Sequence, residues 1–125
     1  MSKNKLRVIK DYDKLDKEIQ EQVKLVYPEG FSQYLIEFRN AQGEMVSALP
    51  FETDEKVYMI RMSVKKAKQI IRDDFDYDDE GNLKEKIKEK YEDEYSDLDY
   101  LSDNDNYNLD SGDIDIQDDE ANNDD

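Results

Sequence analysis

The run Asp76-Tyr77-Asp78-Asp79-Glu80-Gly81-Asn82-Leu83 carries the residue types that bind a hard cation. Asp76, Asp78 and Glu80 alternate, so their carboxylates can converge as the first, third and fifth ligands of a calcium loop. Gly81 stands at the sharp turn, and Leu83 fills the apolar place that follows. The last place of such a loop must give a bidentate carboxylate, and here it is Ile87, which has no side-chain oxygen. Asp76, Asp78 and Glu80 are thus candidate ligands for weak, unselective divalent binding. In a chain with 34 acidic residues, the same spacing also arises as a plain solvated loop.

Two further groups have a chemistry of binding. Lys65, Lys66, Lys68 and Arg72, with Lys3, Lys5, Arg7 and Lys10, would suit phosphates if the fold gathered them on one face. The competing reading makes them the wet sides of ordinary elements. Tyr107, Leu109, Ile114 and Ile116 stand singly among Asp and Asn in residues 96–125, which contain no Lys or Arg. Single apolar residues among acids are the pattern of segments that fold on a partner: charge speeds encounter and the apolar side chains anchor. The partner implied is a basic protein surface, or a nucleic-acid site that the tail mimics; the bland alternative is a solubilising tail.

The chain excludes much else. It has no Cys and no His, which removes disulfides, thiol nucleophiles, the commonest general base and the commonest zinc ligand. No GxSxG, GxxxxGK[ST] or GxGxxG is present. Abundant carboxylates in a solvated tail lack the cleft that would raise the pKa of one of them. A non-enzymatic protein without a cofactor is expected. Apolar runs are no longer than Val57-Tyr58-Met59-Ile60, so neither a membrane span nor a secretory signal is expected, and the default location is cytoplasmic.

The charge divides sharply. Residues 1–72 hold 14 Lys/Arg and 11 Asp/Glu, whereas residues 73–125 hold 4 and 23. A small α+β domain is expected over residues 1–75, an acidic loop and marginal helix over 76–95, and a disordered acidic tail over 96–125, because so few apolar residues cannot offset the cost of ordering the backbone. Residues 4–10 suggest a short first strand or ordered arm. Leu15, Ile19, Val23 and Val26 form one stripe of a helix over 13–27, with Asp13 as N-cap and Pro28 as its stop. Residues 34–39, 44–49 and 56–62 alternate as strands. The first two are joined by the hairpin loop Asn40-Ala41-Gln42-Gly43, and Pro50 ends the second. Short connections predict a three-stranded antiparallel meander packed with two to three helices. Ser63 caps a helix over 64–73 whose inward residues are Val64, Ala67, Ile70 and Ile71. Leu83, Ile87, Tyr91 and Tyr95 predict a last helix, opened by an Asn82/Glu85 capping box. Glu92, Asp93 and Glu94 oppose its dipole, so it should dock weakly and fray from its far end.

Val8 to Leu15, the turn Tyr27-Pro28-Glu29-Gly30-Phe31 and the run Val46 to Thr53 together resemble a group of short, acidic-tailed bacterial proteins of unassigned function. Some of these carry the label "DNA primase", but this chain has no primase signature. The resemblance implies a replication or nucleic-acid setting and no catalysis. A small domain with an acidic tail also resembles the delta subunit of bacterial RNA polymerase, in layout alone. The reading that follows is an accessory protein whose tail docks on a basic protein surface or mimics nucleic acid. The alternative is a nucleic-acid module using Lys65, Lys66, Lys68 and Arg72 and autoinhibited by its tail; a calcium-responsive protein comes third.

Overall fold

A computed structural model describes residues 5–103 and 117–118. The order of elements is β1 (Leu6–Asp11), a 3-10 turn (Tyr12–Lys14), α1 (Lys17–Val26), a 3-10 turn (Ser32–Tyr34), β2 (Ile36–Arg39), β3 (Met45–Glu52), β4 (Lys56–Arg61), α2 (Val64–Asp73), α3 (Glu85–Glu94), α4 (Tyr100–Asp103) and a two-residue β5 (Gln117–Asp118). The fold is α+β. Among the described residues, no helix is long and apolar enough to cross a membrane.

The sheet is mixed, in the order β2-β3-β4-β1-β5. β2, β3 and β4 pair antiparallel as their short loops dictate, with Phe38 opposite Val46 and Leu49 opposite Ile60. The expected three-stranded meander is corrected by β1, which adds in parallel along β4 from Leu6↔Lys56 to Asp11↔Arg61. A parallel neighbour needs a long crossover, and α1 with the two strands after it supplies one. Pro50 does not end its strand. The pairing of β2 stops opposite Ala48, so no neighbour on that side requires an N–H from Pro50, and its carbonyl accepts the Tyr27 hydroxyl instead.

Both faces of the sheet are apolar. One face, with Leu49, Phe51 and Ile60, packs against the helices through Val23, Ala67 and Ile71. Tyr12, Tyr27, Phe31 and Tyr77 extend this core, with Phe31 set edge-on to Tyr27 and Tyr77. The other face carries Ile9, Phe38, Ala48, Val57 and Met59. Each large aliphatic or Phe side chain so buried contributes about 1.5–3 kcal/mol.

The helix boundaries depart from expectation. α1 starts at Lys17 with Asp16 as N-cap, because residues 12–14 tighten into a 3-10 turn that places Tyr12 in the core. Ser63 caps α2 as its sequence predicts, accepting the Lys66 N–H at 3.0 Å, although Val64 stays exposed. The Asn82/Glu85 capping box does not form. Lys84 is the N-cap of α3, and the Asn82 N–H donates to Asp78 in a tight turn. The far end of α3 is held where fraying was expected: Tyr95 is buried and its hydroxyl donates to Glu21 at 2.6 Å. Of residues 96–101, expected to be tail, Tyr100 and Leu101 pack on the core. Tyr100 meets Phe51 edge-on and donates to Gln22. The disorder expected over the rest of the tail falls outside the described residues, apart from Gln117 and Asp118, which pair with β1.

Candidate functional site

Lys24 lies in the last turn of α1, beside the fully buried Val23, and its side chain is almost wholly enclosed. An ammonium in that setting needs anionic partners. Two come from the link after α2. Asp74 ends that helix and lies 2.7 Å from Lys24 Nζ, and Asp76 lies 2.8 Å from it. The Asp76 N–H donates to Asp74 Oδ1 at 2.8 Å, which fixes the turn. Tyr91 of α3 completes the cluster by donating its hydroxyl to Asp76 Oδ2 at 2.7 Å.

The proton affinities follow from this geometry. Burial alone would lower the Lys24 pKa, but its hydrogen bonds to Asp74 and Asp76 outweigh burial and raise it. Burial alone would raise Asp76, but the hydrogen bonds from Lys24 and Tyr91 lower it below the usual carboxylate range. The Tyr91 phenol is pushed up, first by burial and then by its bond to Asp76. These shifts run opposite to those that make a lysine a base or an aspartate an acid near neutral pH. The cluster holds charge in place and is poorly suited to moving protons.

The cluster forms one wall of an open cleft of about 640 Å³ between α1, α2 and the α2–α3 link. Tyr12 reaches it from below. Its hydroxyl is buried and has no hydrogen-bond partner among the described residues, and burial followed by the charges of Asp74, Asp76 and Asp13 raises its pKa. Lys17, Lys66 and Lys90 stand against Asp13, Glu21 and Asp73 along the cleft, so it carries both signs. Phe75 stands at the lip. Between two clamped aspartates, this aromatic ring is 90 % exposed.

The acidic loop after Phe75 is docked. Tyr77 and Leu83 bridge as an antiparallel pair, Leu83 N donates to the Pro28 carbonyl at 2.7 Å, and the Tyr77 hydroxyl donates to the Tyr27 carbonyl at 3.0 Å. Gly81 turns the loop at φ 86°. Asp76, Asp78 and Glu80 are not brought to one point. Asp76 serves Lys24 and Tyr91, Asp78 Oδ1 accepts the N–H groups of Glu80 and Asn82, and Glu80 is exposed. Among the described residues, no group of three acidic side chains is arranged to hold a metal ion.

The basic residues do not form the single face imagined for them. Lys65, Lys68 and Arg72 lie along the outer side of α2, while Lys66 turns to the cleft. Arg7 pairs with Val57 and so lies on the other face of the sheet, and Lys5 is bound to Glu52. Lys10 follows Ile9 on β1, and Lys3 lies outside the described residues, as do Tyr107, Leu109, Ile114 and Ile116. Sequence reasoning missed Lys24, Asp74, Tyr91 and Phe75 as a group. Phe75 alone had a signal: an aromatic among acids, on no apolar stripe.

Comparison with protein-family models, curated proteins and solved structures finds no match for this chain.

Proposed function

We propose that this chain is a non-enzymatic accessory protein that works by binding another protein. The observation that carries this reading is Phe75. Phe75 is 90 % exposed, yet the residues on either side of it are bound to Lys24, so the ring is carried on a tethered stretch of chain and not on a loose loop. Such preorganisation reduces the ordering cost of binding, and a central aromatic is a common energetic anchor of interfaces. Along the chain on either side of it, Asp73 and Asp78, Asp79 and Glu80 are acidic and exposed, while the cleft it lines also carries Lys17, Lys66 and Lys90. The partner surface that fits is an apolar pocket rimmed by Lys and Arg. The acidic tail, with Tyr107, Leu109, Ile114 and Ile116, docks on the same basic surface or occupies a nucleic-acid site as a mimic.

The test is quantitative capture of partners from host lysate after nuclease treatment, with the full chain, Phe75→Ala, and a full-length variant carrying Ser at 107, 109, 114 and 116. A defined protein lost with Phe75→Ala names the partner of the domain; one lost with the tail variant names the partner of the tail. Equal capture by all three forms would sink the reading.

A second reading rests on the exposed row Lys65, Lys68 and Arg72. It makes the domain a nucleic-acid-associated module in replication or transcription, with the tail as internal competitor. Binding of nucleic acid that weakens steeply with salt is its signature.

A further inference from the structure

The second face of the sheet poses a problem of cover. Ile9, Phe38, Ala48, Val57 and Met59 are between 0 and 5 % exposed, and Ile36 and Val46 pack beside them. Neighbouring strands lie about 4.8 Å apart and shield the flanks of such side chains, but not their tops. The apolar residues of α1, α2, α3 and α4 that pack on a core belong to the cluster on the opposite face. Among the described residues, no helix supplies a roof for Phe38 or Met59. Ion pairs Lys5–Glu52 and Asp11–Arg61 stand at its margin, so the apolar area has a charged rim.

We propose that residues 104–116 of this same chain occupy that face, with Tyr107, Leu109, Ile114 and Ile116 as the apolar contacts. Three observations favour this occupant. Outside the described residues, the chain offers Met1, Ala121 and these four as its apolar side chains, so segment 104–116 holds nearly all the material a roof requires. The far end of the segment is tied to the sheet, because Gln117 and Asp118 pair in parallel with Val8 and Ile9 at the edge. Length is also sufficient: 13 residues join α4 to β5, and an extended chain of that size reaches about 45 Å, while four strands span about 15 Å.

The inference does not rest on the interaction reading, and failure of that reading leaves it standing. Where both hold, the sheet and the partner compete for the same four side chains.

Met59 and Met62 give a direct readout, because their methyls lie in the two different cores. The chain has no Cys, so Asn108→Cys places a single nitroxide in the full chain without removing any of the four apolar residues. The expected result is stronger broadening of the Met59 methyl than of the Met62 methyl, in a protein that light scattering finds monomeric. In the full-length variant with Ser at 107, 109, 114 and 116, the Met59 methyl should shift and amides of β1 and β2 should exchange faster, with Met62 little changed. Equal broadening of the two methyls, or a Met59 signal indifferent to the four serines, would overturn the proposal. So would a dimer whose Met59 shift depends on concentration, since a second copy would then be the cover. Should the serine variant unfold, both methyls move together, and the nitroxide measurement decides alone.

Discussion

Lys24 and Asp76 lie 52 positions apart in sequence and 2.8 Å apart in the fold. Their contact, together with that of Asp74, ties α1 to the link between α2 and α3 and so closes the acidic half of the chain onto the neutral half. The ammonium is only 11 % exposed and the two carboxylates about a fifth, so removing one partner strands partly buried charge. Lys24→Met is expected to destabilise by about 2–4 kcal/mol. Urea unfolding of the two proteins measures it, and a change under about 0.5 kcal/mol, the usual effect of surface substitutions, would mean that the cluster is solvated in solution.

The same cluster sets a pH window. Asp76 has its pKa lowered, so its contribution is present above the ordinary carboxylate value, near 4, and is lost as pH falls through the lower folded value. Lys24 and Tyr91 have theirs raised, so their contributions are present below about pH 10 and are lost as pH rises through the folded values. Thermal melting against pH is expected to show a plateau between these limits. Tyr91→Phe, which deletes the phenol that titrates, should reduce the alkaline loss while lowering the plateau by about 1.5 kcal/mol.

Phe75→Ala separates stability from binding. A ring that is 90 % exposed buries little in the folded protein, so the stability change is expected within about 0.5 kcal/mol. Affinity for the captured partner is expected to fall about tenfold or more, as for a central aromatic anchor. A large loss of stability with intact binding would move Phe75 from interface to fold.

The positive-φ turns at Gly30 and Gly43 are testable in the same way. Gly30 has φ 108°, and a Cβ there would lie 3.7 Å from the Gly81 carbonyl oxygen, in ordinary contact. The cost of Gly30→Ala is therefore the positive φ itself, about 1–2 kcal/mol. Gly43, at φ 81° with open space around it, should cost the same, and matched denaturation curves for both variants check that the two turns are limited by backbone and not by crowding.

What was legible in the sequence was local. The cap Ser63 and the inward residues Ala67, Ile70 and Ile71 depend on neighbours within one or two turns and emerged as read, whereas Val64 of the same stripe stays exposed. The hairpin at Asn40–Gly43 did so for the same reason. The pairing of β1 with β4 joins residues 50 positions apart, and no local periodicity encodes a parallel neighbour. The end of α3 was misjudged because Glu92, Asp93 and Glu94 are visible as unfavourable charges, whereas the hydrogen bonds of Tyr95 to Glu21 and of Tyr91 to Asp76 depend on where α1 and the link come to rest. Lys24 was hidden likewise: a lysine beside an apolar stripe reads as solvated until its partners arrive from the far side of the chain.

The two readings of function diverge on α2. If the domain acts through Phe75, replacing Lys65, Lys68 and Arg72 by Ala leaves partner capture unchanged, since these side chains lie on the outer side of the helix. The full chain should then show no measurable binding to duplex DNA at physiological salt, as expected for a protein of net charge −16. The nucleic-acid reading requires the reverse. Binding should appear as salt is lowered, and the triple variant should reduce the slope of log K against log salt by about 2.7, the value for three lost phosphate contacts. Fluorescence anisotropy of a labelled duplex across a salt series measures both quantities, and a slope that drops by that amount would move the function from the lip of the cleft to the outer side of α2.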